Sequence, residues 1–202
     1  MKLYYAPGAC SLSPHIVARE AGIAVELVKV DLKAKKLSDG SAFGDVNGKG
    51  YVPAIRLDDG QLLTEGPAIV QYLADQKPES KLAPKAGTLE RYRLQEWLNF
   101  ITSELHKGMG TFFNPALTPE WRKAASDRLE LRLAYVASQL QGRPYLMGDA
   151  FTAADAYLFT VLNWAPMVKF DLSRWPVLVE YHQRVAARPK VIEAMKAEGL
   201  VS

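Results

Sequence analysis

A chain of 202 residues that is 49% hydrophobic and carries a formal charge of only +3 holds apolar material for one generous core or two modest ones, which excludes a disordered polymer. Its single cysteine excludes an internal disulfide framework and any multi-cysteine metal cluster, so no metal is expected and a reducing compartment, the cytoplasm, is the expected setting. The densest basic run, KAKK at 33–36, is short and lacks interleaved aromatics, which argues against nucleic acid and leaves a small anionic ligand open; no stretch reaches membrane-spanning length, and MKLYYAPGAC shows no signal-peptide pattern.

KLYYA (2–6) has the apolar run of a buried strand, SPHIVAREAG (13–22) the spacing of a helix, and VELVKVDL (25–32) the run of a second strand. VPAIRLDDGQLL (52–63) predicts a hairpin, because Asp59-Gly60 supplies the positive φ of a tight turn. PAIVQYLADQ (67–76) predicts a second helix. Residues 76–87, with two prolines, three lysines and a glycine, read as a connection. The expected division is an α/β domain over 1–78, a linker at 79–87 and an all-helical domain over 88–202.

No strand pattern follows Thr88. In LQEWLNFITSELHKG the residues Leu94, Trp97, Leu98, Ile101 and Leu105 share one helix face, while Asn99, Ser103 and His106 form a stripe more than roughly 100° away, which periodicity alone reads as a solvated polar face. Further helices are expected at 119–141, 153–165, 176–187 and 190–197. FTAAD (151–155) fits a capping box in which Thr152 and Asp155 exchange backbone hydrogen bonds, with Phe151 as the staple; Asp155 is therefore assigned to folding.

Cys10 stands between the first strand and the first helix. APGAC turns the chain and Ser11 to Pro14 opens the helix, so the sulfur should lie near unpaired amides at a positive dipole end. Such sites lower a thiol pKa from about 8.5 to between roughly 3.5 and 7.5. Burial as a small hydrophobe is the competing reading, and position alone does not separate them. Cys10-Ser-Leu-Ser13 has the form of a thioredoxin-type C-x-x-C whose second cysteine is serine. Without a resolving cysteine, redox work needs an external thiol.

Two more motifs describe a ligand. YVPAI places Pro53 at a strand entry, where a cis bond would turn the Val52 amide and carbonyl outward to pair with an extended peptide. In LLTEGPAIVQYL, Thr64 and Glu65 precede a helix with Pro67 in its first turn, so the Gly66 amide can face a carboxylate while Glu65 accepts from an ammonium. A carboxylate beside an ammonium is the head of an amino acid. Each motif taken singly is also an ordinary strand entry or capped helix.

The succession YYAPGACSLSPHI, GYVPAI, LTEGPAIVQYLAD, WLNFITSELHKG and FTAADAYLFTVL resembles the bacterial beta-class glutathione S-transferases over nearly the whole chain. The resemblance implies a thioredoxin-like N-terminal domain, an all-α C-terminal domain, and a homodimer active in detoxification that binds one glutathione per subunit. It implies that Cys10 contacts or bonds the glutathione sulfur, that Val52 pairs with the cysteinyl unit through its backbone, that Glu65 and Gly66 hold the γ-glutamyl end, and that Lys35 meets the glycyl carboxylate. By the same resemblance Asn99, Ser103 and His106 lie near glutathione, reversing the solvated reading of that stripe, with some reaching a neighbouring subunit's site. Many relatives have serine where this chain has Gly66, which leaves a backbone donor alone. Tyr5 ranks below Cys10 and Ser11 as a sulfur partner because strand alternation makes it equally a packing residue. Lys107, His15 and His182 are given no task beyond solvated or helix-face positions.

The expected chemistry is nucleophilic. The glutathione sulfur is held near Cys10, the Ser11 hydroxyl or amide and the helix dipole, with His106 as proton carrier or donor. Its thiolate attacks a hydrophobic electrophile lodged between the domains against Tyr5, Met109, Phe112, Phe113 and Trp164. Two alternatives are thiol-disulfide exchange through Cys10 and a non-catalytic carrier of hydrophobic ligands.

Overall fold

The computed structural model describes residues Met1–Ser202, which fall into two compact units, Met1–Ala83 together with Arg188–Ser202, and Pro84–Ala187. The first unit is built on strands β1 (Lys2–Tyr5), β2 (Glu26–Asp31), β3 (Lys36–Leu37), β4 (Ala54–Arg56) and β5 (Leu62–Thr64), in the spatial order β3-β2-β1-β4-β5. β1 runs parallel to β2, with Leu3 opposite Leu27, and antiparallel to β4, with Leu3 opposite Ile55. A parallel pair needs a crossover, and α1 (Leu12–Glu20) supplies it. The expected hairpin forms: β4 and β5 pair antiparallel, Gly60 takes φ +87°, and Asp59 Oδ1 accepts from the Gln61 amide. The two-residue edge strand β3 was not foreseen; it is too short to carry a periodicity.

α2 (Gly66–Gln76) packs against α1. Leu3, Leu12, Ile16, Ile55, Ile69 and Leu73 are fully buried, while Tyr4, Val30, Phe43, Val52 and Ala54 form a separate cluster. Since Leu3, Tyr4 and Tyr5 are all buried, side chains from both faces of β1 are covered, which is why the strand reads as an unbroken apolar run.

The second unit is helical: α3 (Leu89–Phe100), α4 (Lys107–Thr111), α5 (Pro119–Leu140), α6 (Ala153–Leu162) and α7 (Pro176–Ala186). Thr88 and Thr118 cap α3 and α5 by accepting the amides three residues on. All ten residues of α6 are buried, making it the central helix of the unit. The capping box at Thr152 and Asp155 is present, and Asp155 does more than cap. Its carboxylate also accepts from the Leu146 amide at 2.9 Å and the Tyr181 hydroxyl at 3.0 Å, tying a loop and α7 to the start of α6.

α8 (Pro189–Ala197) lies where a helix was expected at 190–197, yet it packs on α1 in the first unit instead of extending the helical one. Arg188 donates to both carboxylate oxygens of Glu20, at 2.7 and 2.8 Å. His15 is fully buried, not solvated: its Nδ1 sits 2.9 Å from Glu198 Oε1, and Glu198 Oε2 accepts the Gly8 amide at 2.9 Å. His182 is likewise half-buried, stacked on Phe159 and 2.6 Å from Asn163 Oδ1. His15 Nε2 also accepts from Arg19 Nε at 3.3 Å, and a histidine with both ring nitrogens partnered can sit in a core, whereas His182 keeps a helix-face position on α7.

Candidate active site

The segment Lys49–Val52 is hydrogen-bonded to Cys10, Lys35 and Glu65. The Val52–Pro53 peptide is cis. The Cys10 thiol donates to the Val52 carbonyl at 3.2 Å, and the Val52 amide has no partner within the chain. Lys35 Nζ donates to the Gly50 carbonyl at 2.7 Å from a left-handed backbone, φ +55°. On the other side, the Tyr51 hydroxyl and Lys49 Nζ donate to Glu65 Oε1 at 2.7 and 2.6 Å. Glu65 pushes the Lys49 and Tyr51 pKa values up, chiefly through these hydrogen bonds.

Cys10 is half-buried at the mouth of α1. The dipole expectation needs correcting in detail. The first helical amides are not unpaired, since Leu12 donates to the Ala9 carbonyl and Ser13 to the Cys10 carbonyl. The Ser11 hydroxyl does not face the sulfur either: it is buried, accepts from the Ala6 amide at 3.1 Å and donates to the Ala6 carbonyl at 3.2 Å. Ser11 therefore braces the turn, and what it can offer a ligand is its backbone amide, which no group of the chain uses. Of the readings open for Tyr5, packing is the one the fold shows; burial first, and Glu198 second, push its phenol pKa up and keep it protonated.

At α2 the Gly66 amide also has no partner in the chain, while the Ala68 and Ile69 amides both bond the Glu65 carbonyl. An amide–carbonyl pair beside a sulfur, an ammonium on one side and a carboxylate with a free amide on the other suit an extended peptide with a terminal carboxylate and an amino-acid head. Sequence reasoning missed Lys49 and Tyr51. The only signal was GKGY running directly into the quoted VPAI.

In the helical unit, Asn99 and Ser103 are exposed and His106 is half-buried. The helix does not keep its 3.6-residue turn here: Ile101–His106 widens into a π turn between α3 and α4, a feature frequent at functional sites and invisible to a fixed-angle count. His106 Nδ1 lies 2.6 Å from the Tyr157 hydroxyl and its ring meets Trp164 edge-on at 4.8 Å. Burial, with a smaller contribution from Lys107, depresses its pKa to about 4, so at neutral pH it is a neutral imidazole and not a cationic donor. The expected electrophile wall is not supported: Tyr5, Met109, Phe112 and Trp164 are buried core residues, and only Phe113 is exposed.

Residues 8–76 match the family model for the glutathione S-transferase N-terminal domain, and residues 100–189 the model for the C-terminal domain. Glutathione S-transferase GstA of Escherichia coli O157:H7 is 48% identical over 200 residues, covering 99% of this chain and 100% of the relative. A sphingomonad glutathione S-transferase complexed with glutathione superposes with a TM-score of 0.95 at 47% identity, and a bacterial beta-class glutathione S-transferase of Sphingomonas chungbukensis with 0.95 at 48%, each covering 100% of both chains. The first unit is thus the thioredoxin-like domain of a known architecture and the second its helical companion. The chain belongs to the glutathione S-transferase family, in its bacterial beta class.

Proposed function

We propose that the protein is a glutathione S-transferase that joins the sulfur of glutathione to small hydrophobic electrophiles. The observation that carries this is the Lys49–Val52 segment, which joins Cys10, Lys35 and Glu65 in one connected set. Glutathione bound along it would pair its cysteinyl unit with the Val52 amide and carbonyl, its glycyl carboxylate with Lys35, and its amino-acid head with Glu65 and the Gly66 amide. Because the Val52 carbonyl already accepts from Cys10, a bound peptide brings its sulfur to that thiol. The Ser11 backbone amide, not its hydroxyl, then steadies the negative charge as the sulfur forms its bond to carbon. Asn99, Ser103 and His106 are proposed to contribute to the bound peptide from a subunit of a homodimer, His106 as a neutral acceptor or relay. A lone thiol suits the cytoplasm, where conjugation of electrophiles would serve detoxification.

Thiol-disulfide exchange is the second reading, favoured by the placement of a half-buried Cys10 sulfur on the Val52 carbonyl. Cys10→Ala tests both. Conjugation of an aryl halide should persist at a reduced rate and reduction of a mixed disulfide should vanish; full loss of conjugation with wild-type glutathione affinity would make Cys10 indispensable to transfer, and unaltered disulfide reduction would eliminate exchange through Cys10.

A further inference from the structure

Lys49 supplies an ammonium that the proposed chemistry does not require. Its Nζ donates to Glu65 Oε1 at 2.6 Å and to Thr64 Oγ1 at 3.0 Å, and the Tyr51 hydroxyl donates to the same Glu65 oxygen at 2.7 Å. The Lys49 and Glu65 side chains are 47% and 50% exposed, so the pair is screened by solvent and can exchange. Its backbone is less free. Lys49 donates its amide to Asn47 Oδ1 at 3.1 Å, the buried Asn47 donates Nδ2 to the Tyr51 carbonyl at 2.7 Å, and Gly50 takes φ +69° between them. The loop thus keeps one positive charge stationed over the carboxylate that precedes α2.

We propose that Lys49 is a specificity-determining residue, an internal ammonium that occupies Glu65 in the unliganded protein and that a ligand's α-ammonium has to displace. The proposal rests on the reading of Glu65 as the anchor of the γ-glutamyl head. A peptide with no α-ammonium leaves Lys49 in place and gains nothing from Glu65. A peptide that has one trades one ammonium for another at the same oxygen, so its net gain comes from whatever else the head carries, above all an α-carboxylate for the Gly66 amide. Lys49 thus blunts selection for the ammonium: a head that carries an ammonium without a carboxylate gains nothing over the resident lysine, and Glu65 discriminates in full only once Lys49 is removed. Tyr51 does not have to leave, and its hydroxyl keeps the Glu65 carboxylate oriented during the exchange.

Calorimetric titration of the full chain tests this with two probes that have no free thiol for Cys10: S-methylglutathione, and the analogue in which its α-amino group is replaced by hydrogen. Lys49→Met should bind S-methylglutathione roughly three- to five-fold more tightly than wild type, the range a half-exposed ion pair allows, and bind the desamino analogue unchanged; Lys49→Arg should behave as wild type. Unchanged or weaker binding of S-methylglutathione by Lys49→Met overturns the proposal, weaker binding because it would make Lys49 a direct ligand contact. Glu65→Gln separates this failure from that of the anchor itself. If wild type prefers S-methylglutathione and Glu65→Gln loses the preference while Lys49→Met changes nothing, only the role of Lys49 falls. If neither wild type nor Lys49→Met shows a preference between the probes, the anchor reading fails and the role of Lys49 with it.

Discussion

His106 Nδ1 stands 2.6 Å from the Tyr157 hydroxyl in a half-buried, edge-to-face pair. Burial holds the imidazole pKa near 4, against 6.5 for a free side chain. The folded state therefore binds this proton less readily than the unfolded chain, and the stability associated with the neutral ring is complete above pH 6.5 and lost as pH falls towards 4. The full difference is on the order of 3 kcal/mol. Urea titrations at pH 7.5 and pH 5 should show a smaller acid penalty for His106→Asn than for wild type; an equal penalty in both would mean that the ring is charged in the fold.

Gly66 opens α2 at a backbone conformation any residue can adopt, and a Cβ built there would meet only Pro53 Cγ at 3.8 Å, an ordinary contact. Gly66→Ser should fold normally and add a hydroxyl donor beside the Gly66 amide. We expect the KM for glutathione to fall by roughly three- to ten-fold, about one neutral hydrogen bond, with kcat little altered. Steady-state kinetics with glutathione varied would check it, and an unchanged KM would place the amino-acid head elsewhere.

Asp155 is fully buried and serves Leu146, Thr152 and Tyr181 at once. Asp155→Ala leaves the Leu146 and Thr152 amides and the Thr152 hydroxyl without this acceptor and the Tyr181 phenol with only the residue 155 carbonyl at 3.3 Å, at about 1–3 kcal/mol for each group that water cannot reach. A loss of about 3 kcal/mol or more is expected, beyond the 0.5–2 kcal/mol typical of a missing cap. Equilibrium unfolding would measure it, and turnover per folded molecule should be preserved.

Glu198 holds both buried His15 and the Gly8 amide two residues before Cys10. Glu198→Ala should cost about 3 kcal/mol by stranding buried polar partners and loosen the turn that carries the thiol. Glu198→Gln keeps a single acceptor oxygen and should recover part of the loss. Amide hydrogen exchange at residues 6–12 would read the loosening directly; unchanged protection there would confine the effect to His15.

Much of this architecture is legible in local chemistry. The apolar run of β1, the Asp59-Gly60 turn, the helix spacings and the Thr152–Asp155 box are set by residues near one another in the chain, and all are present in the fold. Cys10, Val52 and Glu65 were found because each sits on a recognisable punctuation: a turn into a helix, a proline at a strand entry, a proline in a first helical turn. What escaped depends on partners distant in sequence. Lys49 and Tyr51 acquire meaning only when their loop reaches Glu65, His15 is buried because Glu198 lies 183 positions away, and Ser11 turned inward because Ala6 offered both a donor and an acceptor. The π turn at 101–106 escaped because a wheel drawn at constant angle cannot register an extra residue.

The acceptor of the Gly8 amide is 190 positions downstream, and that separation has a consequence for biosynthesis. At roughly 5–20 residues per second, a ribosome spends on the order of 10–40 seconds between making the turn that carries Cys10 and making the carboxylate that fastens it. During that interval the nascent chain has its thiol but not the brace for it, so the turn that carries Cys10 cannot reach its final form until synthesis has passed residue 198. A message cut before codon 198 would yield a polypeptide whose Cys10 turn lacks this fastening.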